Sequence, residues 1–163
     1  MAYPVADVRE AGPGDVPAIV ALSCALFRED AGTRDPTMNL DWPALDGARY
    51  FADLLADETA ACWVAETAAD ARAIGYLAAR LADGDLLRPA KVATLQSMYV
   101  EEAYRGRGVG RELVGRFLAW ARGRGARLAS VTAYASNGAA VRFYEREGFS
   151  PKELTLERAV GGA

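Results

Sequence analysis

The sequence contains no histidine among its 163 residues. Without an imidazole the chain lacks Ser–His and Cys–His nucleophilic pairs and every histidine-ligated metal site. The common hydrolase classes are therefore disfavoured, and we expect no metal cofactor. Proton transfer must then depend on Tyr, Glu, Asp, Lys or Arg side chains, on backbone amides or on ordered water.

Cysteine is almost absent, and its two occurrences are Cys24 and Cys62. They are distant in sequence and form no CxxC motif, which argues against a disulfide framework and against a zinc site. We expect both thiols to be buried.

Long apolar runs are missing from the start of the chain, where Asp7, Arg9, Glu10 and Asp15 interrupt the sequence. We therefore expect a cytoplasmic protein that does not associate with membranes. Hydrophobic residues make up 52% and charged residues 25%, which is typical of a globular chain. The length fits one domain over residues 1–163.

Apolar periodicity and turn residues divide the chain into strands and helices. Helices are predicted at about 15–27, 46–57, 109–122 and 138–146, and strands at 4–10, 62–67, 74–81, 93–100 and 128–134. The runs 62–67 and 74–81 predict an antiparallel hairpin. Residues 28–46 are polar and are predicted to be a loop, and residues 149–158 are predicted to be extended.

Basic charge is concentrated in one part of an acidic chain. Residues 105–127 contain seven arginines and one acid, Glu112, although the whole chain has a net charge of −3. Such a block is either a solvated helix face or an anion site, and its interleaved glycines favour a phosphate contact. A nucleic-acid partner is not expected, because the overall charge is acidic and no nucleic-acid-binding motif is present.

The glycines stand between the strand that ends at Val100 and the helix 109–122. They belong to the run Arg105-Gly106-Arg107-Gly108-Val109-Gly110. Glycines allow backbone N–H groups to approach a ligand closely, and the helix N-terminus adds partial positive charge, so the pattern predicts a diphosphate site that the two arginines supplement. A dinucleotide GxGxxG motif would need glycine at Arg111, and no Walker motif is present.

The pattern Arg105-x-x-Gly108-x-Gly110 resembles the acyl-CoA pyrophosphate loop of the GNAT superfamily of N-acetyltransferases. Residues 137–149, NGAAVRFYEREGF, are similar to the second cofactor-contacting block of that family. The stretch from Val8 to Val16 is similar to the family's opening strand and helix, so the resemblance covers most of the chain except residues 28–46.

The resemblance implies an α/β (α+β) fold with a mixed, mostly antiparallel central sheet flanked by helices. Two parallel strands, the one ending at Val100 and the one at 128–134, would splay apart and hold acyl-CoA. The implied cofactor-binding residues are Met98, Tyr99, Val100, Arg105, Gly106, Arg107, Gly108, Val109, Gly110, Asn137, Ala140 and Phe143. The amides of 105–110 would bind the pyrophosphate, and the Val100 N–H would polarise the thioester carbonyl.

By the same resemblance, Tyr144 is the candidate general acid, although a buried tyrosine can also serve only to pack. A phenol with an ordinary pKa near 10 stays protonated at neutral pH and can protonate a departing thiolate. The base stays open between solvent, a water chain, Glu101 and Glu102, because Gln96 stands where many relatives have glutamate.

The implied activity is transfer of the acetyl group of acetyl-CoA to a primary amine by direct attack. Five acids in residues 28–46, against Arg28 and Arg34, favour a small cationic amine as acceptor, unless they form an ordinary solvated loop. A peptide or protein amine is an alternative acceptor, and a non-catalytic acyl-CoA-binding module is an alternative function. The resemblance also allows a homodimer.

Overall fold

The central sheet has five strands in the order β1-β2-β3-β4-β5 in a computed structural model that describes residues 5–162. The strands are β1 (Ala6–Glu10), β2 (Ala60–Thr67), β3 (Ala73–Ala82), β4 (Val92–Val100) and β5 (Leu128–Val131). Neighbours from β1 to β4 pair antiparallel, and β4 pairs parallel with β5. The predicted mixed, mostly antiparallel sheet and the hairpin of β2 and β3 are confirmed.

The helices are α1 (Val16–Leu26), α2 (Gly32–Arg34), α3 (Trp42–Ala56), α4 (Val109–Gly123) and α5 (Gly138–Arg146). Among the helices of residues 5–162, none combines the length and apolar character needed to cross a lipid bilayer.

Two apolar layers cover the two faces of the sheet. On one face α4 contributes Leu113, Val114 and Phe117, which pack against alternate strand residues such as Val8 and Leu77. On the other face, α1 and α3 contribute residues that include Ile19, Phe51 and Leu54, which pack against Val64, Tyr76 and Ala78. The period of two along the strands thus divides their side chains between helices on opposite sides.

The segment 28–46 is a loop only over residues 35–41, although its polar composition predicts a loop throughout. The helix α1 continues through a π-helical turn, Phe27–Ala31, into α2, and α3 begins at Trp42. Two contacts explain the difference: Arg34 pairs with Asp30 one turn earlier at 2.9 Å, and Trp42 stacks on Phe27 with ring centroids 5.6 Å apart. Pro43 is tolerated because it stands in the first turn of α3.

The end of β5, the cysteines and the terminal segments differ in part from the predictions. The strand β5 ends at Val131 rather than at 134, because the following residues leave the sheet. Cys62 is buried as expected, whereas Cys24 is only partly buried. Residues 149–158 belong to no helix or strand, and residue 4 of the first predicted strand lies outside the described residues.

Candidate functional site

The parallel pair β4–β5 separates partway along its length. Its register runs from Val92↔Leu128 to Leu95↔Val131 and stops there. On the other side, β4 stays paired with β3 up to Gly75↔Val100. The side of β4 that faces β5 therefore opens over residues 96–100, which we call the open edge.

Two backbone groups of Val100 face the open edge. The Glu101 N–H donates to the Ile74 carbonyl on β3 at 2.8 Å, so the Val100 carbonyl in the same peptide plane points the opposite way. The Tyr99 carbonyl lies against Gly75 of β3, where an added Cβ would come within 2.9 Å of it. The Val100 N–H consequently points toward β5, and by the alternation of strand amides so does that of Met98.

A β-bulge in β4 lies next to these groups. Ser97 is opposite Ala78 and Leu95 is opposite Ala79, so Gln96 is the extra residue. Its exposed side chain accepts a hydrogen bond from the Tyr50 hydroxyl of α3 at 2.8 Å. Bulges bend a strand locally, and this one stands where β4 and β5 part.

The glycine loop, residues 105–110, connects β4 to α4 and has the backbone that its sequence predicts. Gly106 and Gly108 have φ angles of 70° and 86°, in the left-handed region that disfavours a side chain. A Cβ added to either would meet no atom within 4 Å, so the space beside the loop is open. Gly110 has a different role, since a Cβ there would lie 3.3 Å from the ring of Phe143 on α5.

Arg105 is engaged by protein groups rather than pointed into the loop. Its Nε donates to the Val100 carbonyl at 2.8 Å, and its two terminal nitrogens donate to the Glu29 carboxylate at 2.6 and 2.8 Å. The hydroxyl of Tyr99 donates to the same carboxylate at 3.1 Å. The hydrogen bonds from Arg105 lower the pKa of Glu29, and Arg107 remains exposed beside the ring of Tyr104.

The helix α5 supplies the groups on the opposite side of the open edge. Asn137 caps this helix by accepting from the Ala140 N–H at 3.1 Å, while its amide nitrogen donates to Asp30 at 3.0 Å. Tyr144 packs between Phe143 and Phe149, with ring centroids 5.2 and 5.8 Å away. Burial, with a smaller effect from the charge of Asp30, raises the pKa of Tyr144 to about 12.

One segment, residues 27–35, contacts both sides of the open edge, and we call it the bridging segment. It reaches β4 and the glycine loop through Glu29, and it reaches the β5 side through two further acids. Asp30 accepts from Asn137, and Asp35 accepts from the Tyr134 hydroxyl at 3.2 Å. The sequence does not reveal these contacts, because the partners at β4, the glycine loop and the β5 side are at least 70 positions away.

The carboxylates near the open edge differ in how they are held. Glu101 accepts two hydrogen bonds from Arg72, at 2.7 and 3.0 Å, whereas Glu102 is exposed. Asp35 accepts from Thr37 and Tyr134, both of which are neutral. Hydrogen bonds from Thr37 lower the pKa of Asp35, so that carboxylate stays ionised and carries a charge that these donors do not offset.

A sheet that opens beside a glycine loop and a helix N-terminus is the arrangement that the resemblance to the acetyltransferases implied. The family model of the GNAT acetyltransferases matches residues 25–149, so the chain belongs to that family. An uncharacterised N-acetyltransferase of Methanocaldococcus jannaschii is 34% identical over 64 residues, which cover 39% of this chain and 28% of that protein.

Solved structures share the fold over nearly the whole chain. A Bacillus halodurans protein described as a transcriptional regulator has a TM-score of 0.75 at 24% identity, covering 95% of this chain and 99% of that one. The aminoglycoside N-acetyltransferase AAC(6′)-Iy in complex with CoA has a TM-score of 0.73 at 20% identity, covering 95% and 94%. A predicted acetyltransferase with acetyl-CoA from Clostridium acetobutylicum also scores 0.73 at 20% identity, covering 94% and 96%.

Proposed function

We propose that this protein transfers the acetyl group of acetyl-CoA to a primary amine on a small cationic molecule, by direct attack of the amine. The observation that carries the proposal is the open edge itself. Backbone donors of β4 face it, the glycine loop stands at its end, and Tyr144 packs on the α5 side. Family membership supports the acyl transfer, and the acceptor is inferred from this chain's own charges.

The residues around the open edge fit acetyl-CoA. The loop amides at Arg105–Gly110 can converge on a diphosphate, because Gly106 and Gly108 have left-handed backbones with open space beside them. The N-terminus of α4 adds partial positive charge at the same place. Met98 and Val100 would pair with the pantetheine arm through their outward N–H groups, as one further strand would.

Acetyl-CoA, once bound, would supply a thioester carbonyl for the amine to attack. In this proposal the Val100 N–H donates to that carbonyl oxygen and stabilises the charge that develops on it. Tyr144 keeps its proton at neutral pH, because its pKa is raised to about 12, and it would donate that proton to the sulfur as the carbon–sulfur bond breaks. The proton that the attacking nitrogen loses would pass to solvent, a water chain, Glu101 or Glu102. Phe143 and Ala140 would hold the chain of the cofactor against α5.

The acceptor proposal rests on uncompensated negative charge beside the open edge. Arginines neutralise two of the five acids in residues 28–46, which we call the acidic segment: Arg105 binds Glu29 and Arg34 binds Asp30. Asp35 has neutral donors instead, and Asp41 is exposed. A second cationic group on a small amine would be attracted to Asp35, whereas an amine without one would gain nothing from this carboxylate.

The first experiment titrates acetyl-CoA by calorimetry and then follows free thiol release with a panel of amines. Binding with amine-dependent thiol release is the expected result. An absence of binding would overturn the proposal, and binding without release for any amine would establish the non-catalytic acyl-CoA-binding module instead. Thiol release with lysine peptides but with no small amine would show that the acceptor is a peptide or protein amine.

A pair of variants tests the acceptor class. Asp35→Asn should raise KM for a diamine several-fold and leave KM for a monoamine without a second cationic group unchanged. Asp46→Asn is the matched control, because Asp46 belongs to the same acidic segment and is paired with Arg49 at 2.8 Å. Equal effects of Asp35→Asn on both amines would contradict a cationic acceptor at this position.

A further inference from the structure

Gln96 stands at the inner end of the open edge, where β4 and β5 part. It is the first residue of β4 beyond the last parallel pair, Leu95↔Val131, and its side chain is exposed. That side chain lies on the face of the sheet that α3 covers, because it meets the Tyr50 hydroxyl there. A neutral amide is therefore placed beside the part of β4 along which the pantetheine arm would pair.

The amide of Gln96 is held in one orientation. Its oxygen accepts from the Tyr50 hydroxyl at 2.8 Å, and the Tyr50 ring packs edge-on against Trp42 with centroids 5.2 Å apart. The guanidinium of Arg80 also lies 6.0 Å from the centroid of the Tyr50 ring. Within residues 5–162 the amide nitrogen of Gln96 has no hydrogen-bond partner, so its two N–H groups are available to a ligand at the open edge.

Two hydroxyls lie beside Gln96 on the same face of the sheet. Ala93 and Leu95 pack on the α4 face, so Thr94 between them points to the opposite face. The hydroxyls of Thr94 and Ser130 are 3.1 Å apart across β4 and β5, and both are exposed. Thr94 is two residues from Gln96 along the strand, which is about 7 Å. The α3 side of the open edge thus begins with an uncovered group of neutral polar side chains.

This group of side chains is suited to a hydroxyl on the acceptor. An ammonium has no lone pair and cannot accept from the Gln96 amide nitrogen, whereas a hydroxyl accepts from that nitrogen and donates to the oxygen of Thr94 or Ser130. An apolar substituent would displace water and leave the amide nitrogen without a partner. The second cationic group of the acceptor has a different partner, since Asp35 follows α2 on the bridging segment.

We propose that Gln96 is a specificity-determining residue that donates a hydrogen bond to a hydroxyl of the acceptor and is held for this role by Tyr50. The preferred acceptors are then small cationic amines that carry a hydroxyl near the reacting nitrogen. The assignment rests on the proposed acetyl transfer, because Gln96 meets the acceptor only if the amine binds at the open edge. Gln96 takes no part in moving the proton of the amine.

Two diamines that differ by one hydroxyl test this role. One is propane with an amine at each end, and the other carries a hydroxyl on the central carbon as well. Thiol release gives kcat/KM for each, and Gln96→Leu should lower the ratio of the hydroxylated to the plain diamine by about three- to tenfold, the effect of one neutral hydrogen bond. Tyr50→Phe should lower it in the same direction by less, because the amide loses only its anchor. The intrinsic reactivities of the diamines are the same for every variant, so they cancel in this comparison.

Asp35→Asn is the control, because it should weaken both diamines by the same factor and leave their ratio unchanged. Calorimetry of each diamine on the protein saturated with CoA gives the ratio of dissociation constants without turnover. A ratio that Gln96→Leu leaves unchanged would overturn the role of Gln96, even if both diamines are acetylated. If neither diamine releases thiol in the parent, the proposed acetyl transfer fails, and the binding ratio still decides the role of Gln96. A parent protein that binds neither diamine overturns both.

Discussion

The glycine loop presents backbone amides at the open edge, whereas the bridging segment presents carboxylates held by side-chain hydrogen bonds. Gly106 and Gly108 hold the loop in a shape that few other residues adopt. Glu29, Asp30 and Asp35 are held by partners from β4, the glycine loop and the β5 side. A few adjacent residues determine the conformation of a site made from backbone groups. A site made from long-range side-chain contacts forms only when the chain folds.

The largest expected effect is on the chemical step. Tyr144→Phe should lower kcat by about 10²-fold, because it removes the proton donor for the departing thiolate. The affinity for acetyl-CoA, measured by calorimetry, should stay the same, because the aromatic ring still packs between Phe143 and Phe149. Unchanged turnover with the best amine would reduce Tyr144 to a packing residue.

The pH dependence sharpens that prediction. Burial raises the pKa of Tyr144 to about 12, so the acid form persists well above neutral pH. We expect kcat with saturating amine to show no loss through pH 10, where an ordinary tyrosine would be half ionised. A descending limb near pH 10 that disappears in Tyr144→Phe would contradict this assignment of the pKa.

Gly108→Val tests whether acetyl-CoA binding depends on the backbone conformation of the glycine loop. A β-branched residue at a φ of 86° costs about 1–3 kcal/mol, so acetyl-CoA affinity should fall by about 10- to 100-fold if binding needs that conformation. Gly115→Ala is the matched control in the same helix, since an added Cβ there meets nothing within 4 Å. Its affinity should be unchanged and its stability slightly higher. Equal acetyl-CoA affinities of the two variants would show that cofactor binding does not depend on the conformation of the glycine loop.

Glu29→Gln tests the side-chain contacts of the bridging segment, because it weakens the ion pair between Glu29 and Arg105. The variant loses the charge that binds Arg105 in two places, which should cost about 1 kcal/mol or less because the pair is partly exposed. The expected fall in Tm is at most about 2–4 °C. We expect a larger effect on KM for the amine than on acetyl-CoA affinity, since the glycine loop keeps its backbone. A loss of acetyl-CoA affinity as large as that of Gly108→Val would show that the glycine loop and the bridging segment both contribute to cofactor binding.

The smallest effect is the acid dependence of the same ion pair. The pKa of Glu29 is lowered in the folded protein, so the ion pair stabilises the fold above the unfolded pKa, and this contribution is lost as pH falls through the folded value. The difference in unfolding free energy between the parent and Glu29→Gln should therefore be constant near neutrality and shrink below about pH 4. Urea denaturation across that range measures it, and a difference that grows in acid would have the wrong sign.

Much of the fold was predictable because its signals are local. β-prone runs and turn residues predicted all five strands, and the apolar face of α4 was evident from its spacing. The loop prediction for 28–46 was correct for 35–41 and wrong for 28–34 and 42–46, because composition counts polar residues without their partners. The pairs Arg34–Asp30 and Trp42–Phe27 turn much of that stretch into helix.

The sequence by itself determined the family, the individual strands, the glycine loop and the choice of Tyr144 as a candidate acid, because each depends on residues that are close together in the chain. Tertiary structure decided where the parallel strands part, how Arg105 is used and which acids reach the open edge. Those features need groups as far apart as Glu29 and Arg105 or Asp30 and Asn137 to meet. Only folding brings such groups within hydrogen-bonding distance, since the bonds depend on packing and not on adjacency.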